Sequence, residues 1–535
     1  MRLVQDTRMK NLMLLNGNVY TMNPQLSGAE AVAVRDSKII AVGRKSDVEN
    51  LGKRNFRVID LEGKTVLPGL TDCHTHILSF AQGLGRVDLH GIDSSGEILS
   101  AIESFSSRLK PDEWLLGAGW DKNVIEDQSI FSKQVLDNIW PQGPAALQSK
   151  DQHVLWVNSK ALRFAGIDKT TNDPRGGMIE KDRSSGEPTG ILKEKACGLV
   201  WDKLPPRTAS TSEKLLKEAV KIANSYGLTG VQNHDDPDAF ELFRNLHSDG
   251  PLTLRAAFWI PIDRLDSAIS QGLTSGSGND FVRFGGVKMY ADGSLGSQTA
   301  LMFESFEGGG DNLGVEATSQ EELAEKSIKA SRAKMSVAIH AIGDRAVHQS
   351  LNAIDEAVRQ NPEQTGLRHR IEHVQLLHPD DIGRFQELGV IASVQPVHAP
   401  ADIDIADRYW GKRSRFAYAF KSLLDSGAKV VFGSDAPIET INPWMGIHAA
   451  ACRKRIGDEK SWHPEEKLSI FDAISGFTCW ASYASYEESL KGSIEVGKLA
   501  DVIVLSQDVF EVRPDEIPNT KVECTILGGR IVHEA

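Results

Sequence analysis

Cysteine is scarce in this chain and uninformatively spaced: Cys73, Cys197, Cys452, Cys479 and Cys524 are the five in 535 residues, with no Cys-x-x-Cys pair. An odd, scattered set argues against a disulfide framework or a zinc ribbon and suits a reducing compartment. Long apolar runs are also missing. No segment reaches the roughly 18 uninterrupted apolar residues of a membrane span, and Met1-Arg-Leu-Val-Gln-Asp-Thr-Arg8 holds no apolar core of signal-peptide length. There is no excess of basic residues either. The net charge of −13 is spread along the chain, which argues against nucleic acid or an anionic membrane as partner. No short repeat period favours a solenoid. What is present is ordinary: 40% hydrophobic and 25% charged residues. The length exceeds the roughly 250–300 residues at which a single core stops growing. These features lead us to expect a cytoplasmic enzyme with one large domain and a smaller one.

Both ends of the chain read as short strands separated by turns. At the start these are residues 12–15, 19–20, 31–34, 38–42 and 56–59, with an Asn-Gly turn signal at Asn16-Gly17. At the end they are 502–505 and 524–532, preceded by Gly492-Ser-Ile-Glu-Val-Gly-Lys-Leu-Ala-Asp501. Neither end could bury its faces alone, so residues 1–66 and 487–535 are expected to pair into one small β-sandwich. Between them, apolar runs at 227–234, 252–258, 284–290, 336–340, 370–373, 390–395 and 428–435 alternate with helix-like stretches at 212–225, 320–334 and 348–359. That order is the sequence form of a (β/α)₈ TIM-like barrel, here over 67–486. One segment interrupts it. Residues 88–203 exceed what one βα unit needs and hold five of the ten tryptophans. They are expected to form an insertion with its own small core, compatible with a lid over the barrel mouth.

The strongest chemical signal is Leu67-Pro-Gly-Leu-Thr-Asp72-Cys-His74-Thr-His76, which follows the apolar run at 65–67. Side chains at i and i+2 of a strand point the same way, so two imidazoles leave one strand toward one point, as a transition metal requires. Lys288, His340, His373 and Asp435 likewise fall at or near the C-terminal ends of inferred strands, on the face where barrel enzymes assemble their sites. Each has an ordinary explanation taken singly, such as a satisfied core histidine or a helix N-cap at Asp435. Six such placements together point to a metal centre.

Several motifs carry a family likeness: Pro-Gly-Leu-x-Asp-x-His-x-His, Ala338-Ile-His340-Ala-Ile-Gly-Asp-Arg345, Arg370-Ile-Glu-His373, Gly-Ser-Asp435 and the closing Gly-x-Ile-Glu-x-Gly-Lys-x-Ala-Asp501. With them the chain resembles the amidohydrolase superfamily from Leu14 to Val532. Through Lys288-Met-Tyr-Ala-Asp-Gly-Ser-Leu-Gly-Ser297 and Gly119-Trp120-Asp121 it is similar to the amidohydrolase 3 branch that includes N-substituted formamide deformylases. The resemblance implies a distorted barrel beside a β-sandwich and a centre of one or two divalent metal ions, zinc by default. His74, His76, His340 and His373 would be ligands, and Asp435 the eighth-strand carboxylate. Lys288 matches the place where several members carry a carbamylated lysine bridging two metals; a plain ammonium there could instead bind an anionic substrate group. Trp120 and His153 resemble positions near the pocket, and each could equally be local core or polar surface. Arg345 and Asp292 could orient substrate or metal ligands, or cap helices.

The expected reaction is hydrolysis of a C–N bond in a small molecule, an amide or a formamide, with Asp435 moving the proton. Two other readings stay open. The same groups would serve a lactone or ester, and a barrel without turnover could act as a regulatory or assembly protein. A homodimer is the default that the resemblance carries.

Overall fold

A computed structural model describes residues 11–122, 125–149, 154–204, 209–234, 237–250 and 252–535. The chain divides into two compact units, one of residues 1–78 with 217–535 and one of residues 79–216.

The first unit holds an eight-stranded, nearly closed parallel barrel: β1 (Leu70–Thr75), β2 (Leu228–His234), β3 (Arg255–Pro261), β4 (Val282–Tyr290), β5 (Ser336–Ala341), β6 (Arg370–His373), β7 (Ile391–Val394) and β8 (Lys429–Phe432), paired in that order. Strands buried on both faces read as near-continuous apolar runs, which is why these segments stood out in the sequence. β1 and β8 share no ladder among the described residues. Two backbone bonds just beyond them close the seam, Asp435 N to the His74 carbonyl at 2.7 Å and His76 N to the Ala436 carbonyl at 2.9 Å. Asp72 reinforces it by accepting from Ser434 N at 3.0 Å and Ser434 Oγ at 2.5 Å.

The apolar run at 65–67 and the histidine-bearing segment after it divide at the Pro-Gly break. They are two strands. Thr65–Pro68 belongs to a different sheet, and the barrel starts at Leu70 after a break at Gly69. A Cβ at Gly69 would lie 2.3 Å from the Thr229 side chain, so only glycine lets β1 approach β2 there.

The chain ends build two sheets. One has four strands in the order Lys38–Gly43, Ala31–Arg35, Leu12–Leu15 and Arg57–Asp60. The other has six and mixes both ends: Arg530–Glu534, Val522–Leu527, Val502–Leu505, Thr65–Pro68, Asn18–Asn23 and Leu26–Ala29. Leu12, Leu14, Val32 and Val34 pack with Val19, Val66, Val502, Val504 and Ile526 of the second sheet. Their neighbours Met13, Leu15, Ala31 and Ala33 face the other way, onto Val48 and Phe56. Period-2 alternation with both faces covered explains why all of Leu12–Leu15 is buried. Arg255 at the start of β3 makes a bidentate pair with Asp501, at 2.7 and 2.9 Å, tying the C-terminal segment to the barrel.

The second unit is built on a six-stranded sheet, ordered Gly177–Lys181, Pro188–Glu194, Val154–Val157, Ala145–Ser149, Leu115–Trp120 and Val87–Asp88. Its two faces carry separate cores. Trp120, Trp140 and Trp156 lie in one, and Trp114 and Trp201 flank the other.

Candidate metal centre

Polar side chains enter the barrel because alternate strand residues point inward. On β1, Asp72 and His74 face in while Cys73 packs outward with Ile391, Val431 and Ala481. Inside lies a polar layer around Arg370, which is fully buried. Its guanidinium donates to Gln232, to Ser393 Oγ and to the Cys73 carbonyl at 2.7 Å, and it stacks 4.8 Å from the Trp259 ring. It also pairs with Glu372, Nε to Oε1 at 2.5 Å. Burial would raise the Glu372 pKa, but Arg370, His234 and Lys288 together hold it below the usual carboxylate range.

An ionised Glu372 only accepts, and His74 Nδ1 lies 2.6 Å from its Oε2. His74 therefore donates from Nδ1 and bears its lone pair on Nε2, which lies 3.4 Å from Asp435 Oδ1. His76 reaches the same oxygen. Its Nδ1 faces the His234 carbonyl at 3.2 Å and its Nε2 stands 3.0 Å from Asp435 Oδ1, so with the proton on Nδ1 the ring turns its Nε2 lone pair to the same point. Three electron-pair donors thus converge, each within 4.8 Å of the others. That arrangement is repulsive without a cation. A proton on His74 does not fill the role, since burial and then the Lys288 charge hold its pKa well below the usual value. Two imidazoles and a carboxylate suit a borderline divalent ion of the zinc kind.

The neighbouring histidines are prepared in the same way. His340 Nε2 donates to the Gly293 carbonyl at 2.8 Å, leaving Nδ1 as the lone-pair atom. His373 Nδ1 donates to Gln395 Oε1 at 2.8 Å, leaving Nε2. The His340 and His373 rings are 4.5 Å apart, and His373 lies 4.8 Å from His74. Burial, and then Lys288, push the His340 pKa down to about 4, so at neutral pH the ring is neutral and its Nδ1 lone pair is free of a proton. Strand alternation alone would send His373 and Glu372 to opposite faces. His373 instead adopts φ 74° and Asp435 φ 60°, left-handed conformations that β-strand residues rarely take and that cost about 1–3 kcal/mol each.

Comparison with known proteins decides the family. The profile of the Amidohydrolase family matches residues 57–533. The chain belongs to the amidohydrolase family. It is 32% identical over 528 residues to the putative amidohydrolase YtcJ of Bacillus subtilis (strain 168), covering 97% of this chain and 98% of that one. It is 28% identical over 543 residues to the N-substituted formamide deformylase of Arthrobacter pascens, covering 99% of each. Among solved structures, an uncharacterized metal-dependent hydrolase from Pyrococcus furiosus aligns with a TM-score of 0.76 at 27% identity, over 94% of this chain and all of that one.

In this amidohydrolase the barrel rim brings together His74, His76, Lys288, His340, His373 and Asp435. Lys288 is buried, with Nζ 5.2 Å from the Tyr290 ring centre. Asp292 is not at the rim's open side. Its carboxylate accepts from the backbone N–H groups of Leu301, Ile342 and Gly343 at 2.8–3.0 Å, and it lies 3.6 Å from His340 Nε2. Burial raises its pKa to about 7, against those hydrogen bonds. It acts as a staple between the loops after β4 and β5. Arg345, half-buried, lies in the first turn of the helix Asp344–Gln360 that follows β5. Trp120 sits in the second unit's core, its indole donating to the Leu147 carbonyl at 2.8 Å. His153 lies outside the described residues.

Sequence reasoning did not single out four participants: Glu372, His234, Gln395 and His398. His234 ends β2 and stacks on His74 at 4.1 Å and on Trp259 at 5.1 Å. His398 opens the helix His398–Trp410 after β7, with Nε2 3.8 Å from Asp435 Oδ2. His373, His398 and Asp435 form a second metal-competent triad sharing the aspartate. Gln375 Nε2 lies 3.3 Å from His398 Nδ1, which leaves the His398 proton on Nε2; the amide turned over would reverse this tautomer. The available signal was positional, because each of these residues is polar and at or just beyond a strand end.

Proposed function

We propose that this amidohydrolase hydrolyses a non-peptide C–N bond, of the amide or formamide kind, in a small molecule. The observation that carries the reading is the convergence of the His74 and His76 lone pairs on Asp435 Oδ1, with both Nδ1 atoms occupied elsewhere. One or two divalent ions held by His74, His76, His340, His373 and Asp435 would supply Lewis-acid chemistry and acidify water; carbamylation of Lys288 would add a further ligand, and by turning its positive charge negative it would remove the cation that holds the His74 and His340 pKa values down in the free protein. The protein's own groups do the rest. Asp435 accepts a proton from the attacking water and returns it to the departing nitrogen, which is a poor leaving group unless protonated. With its proton on Nε2 and no ion in the triad it shares with His373 and Asp435, His398 would donate toward the substrate oxygen and stabilise the charge that develops there. Glu372 and Gln395 keep the ligand imidazoles in one tautomer. The likeness to a deformylase over 99% of both chains supports a formamide or acylated amine as substrate. Five scattered cysteines with no Cys-x-x-Cys pair support a reducing, cytoplasmic setting.

The test is a panel of N-substituted formamides, N-acyl amines and matched lactones and esters, assayed with zinc, manganese or cobalt supplied. We expect turnover of a C–N substrate that falls by at least about 100-fold in Asp435→Asn. Turnover of lactones with all amides inert would overturn the bond assignment. Turnover unchanged in Asp435→Asn would overturn the role of that residue.

A further inference from the structure

We propose that His448, Cys452 and Asp515 form a second site for a divalent ion of the zinc type, which clips the C-terminal crossover onto a barrel helix. The site shares no residue with the barrel rim. His448 and Cys452 are four apart on the helix Pro443–Cys452 and so occupy one face. Asp515 comes from the short helix Pro514–Asn519, which lies between strands Val502–Leu505 and Val522–Leu527 of the six-stranded sheet. The three ligand atoms lie within 4.8 Å of one another. Tetrahedral zinc with bonds of about 2.0–2.3 Å sets its ligand atoms roughly 3.5 Å apart, so about 1 Å of contraction brings the three side chains into range, with water as the fourth ligand. Side-chain rotation of Asp515, which is half exposed, can supply it.

A simpler account needs weighing. Buried cysteine is commonly a small apolar filler, and a Lys–Asp pair with one partner open to solvent contributes little. Here Lys454 Nζ lies 2.8 Å from Asp515 Oδ1. That account needs only two groups, yet a third, the His448 imidazole, is also turned to the Asp515 carboxylate. The imidazole is 3% exposed, and its Nε2 stands 3.7 Å from the same Asp515 oxygen, beyond hydrogen-bond length. A carboxylate, an imidazole and a thiol held at this separation, with an ammonium neutralising the carboxylate from outside, are the parts of a borderline-soft site in which Lys454 substitutes for the ion. Burial holds His448 below its usual pKa, so it is a neutral ligand. Burial and the nearby Asp515 push the Cys452 thiol up to about 11. On binding, the Cys452 S–H bond breaks, its proton leaves to solvent, a sulfur–metal bond forms, and Lys454 swings into water with its charge intact.

Cobalt(II) distinguishes the two centres, because the rim offers nitrogen and oxygen donors while this site adds a thiolate. Titrating the full-length protein should give a near-ultraviolet thiolate-to-cobalt band whose final amplitude corresponds to one thiolate-bound cobalt per chain. The band should persist in the His74→Ala, His76→Ala double variant and vanish in Cys452→Ser. Lys454→Gln, which removes the competing ammonium and keeps most of the side-chain length, should tighten cobalt binding about tenfold. No thiolate band in either wild type or Lys454→Gln would overturn the proposal, as would a band that survives Cys452→Ser.

Discussion

At the scale of the residue, this centre is a problem in tautomers. Each ligand histidine has one nitrogen committed to a carboxylate, an amide or a carbonyl, which decides where its lone pair points. Glu372 is the most heavily used of these partners, since it serves His74 and Arg370 together. Glu372→Gln should keep the shape while losing the charge that orients His74, and metal affinity should fall by about 10- to 100-fold, as competition with a chelating dye would measure. Unchanged affinity would mean that His74 is held by packing alone. The sequence made His373 visible and hid Glu372. Regular alternation sends neighbours to opposite faces, and nothing in Arg370-Ile-Glu-His373 announces the left-handed turn that brings both inward. His74 and His76 were legible because their i, i+2 spacing is a strand property that the fold keeps. His398 was not, because it stands four residues past β7 at the start of a helix.

At the scale of the element, apolar runs predicted the barrel strands to within a few residues, because parallel strands covered on both faces must be apolar. Pairings between distant segments were less legible. Asp501 was visible as part of a closing motif, but its partner Arg255, 246 residues earlier, had no signature in the sequence. Burial alone would raise the Asp501 pKa; Arg255 holds it below the usual carboxylate value. Asp501→Ala would leave a buried guanidinium unpaired and should destabilise the first unit by about 3–5 kcal/mol, read as a lower denaturant midpoint. A loss under 1 kcal/mol would show that water reaches Arg255 more readily than its burial suggests. Gly69 teaches the complementary lesson. A Pro-Gly break inside an apolar run marked a change of sheet, and the close approach to Thr229 gives the reason.

At the scale of the whole molecule, stability should depend on pH through buried histidines that the reaction does not use. His369 is one. It accepts from Val337 N at 3.2 Å, and burial pushes its pKa down to about 4. Unfolded, the same ring binds a proton near pH 6.5, so the unfolded state gains protons that the folded state refuses as pH falls from about 6.5 toward about 4. Above pH 7 His369 contributes no slope. By pH 5 it should cost about 2 kcal/mol. His369→Gln should therefore show a shallower loss of thermal midpoint between pH 7 and 5 than wild type, and parallel curves would refute the assignment.

The seam of the barrel also has a consequence in time. Asp435, which closes β1 through the His74 carbonyl, is translated 361 residues after it, and Thr65–Pro68 pairs with Val502–Leu505 later still. At roughly 5–20 residues per second, a nascent chain carries an unclosed barrel sheet for about 20–70 s. Residues 79–216, a compact unit complete early in that interval, can fold while the rest of the chain waits. The burden of synthesis therefore falls on β1 and the strands that follow it, whose apolar edges stand open on the ribosome until β8 and the residues just after it are made.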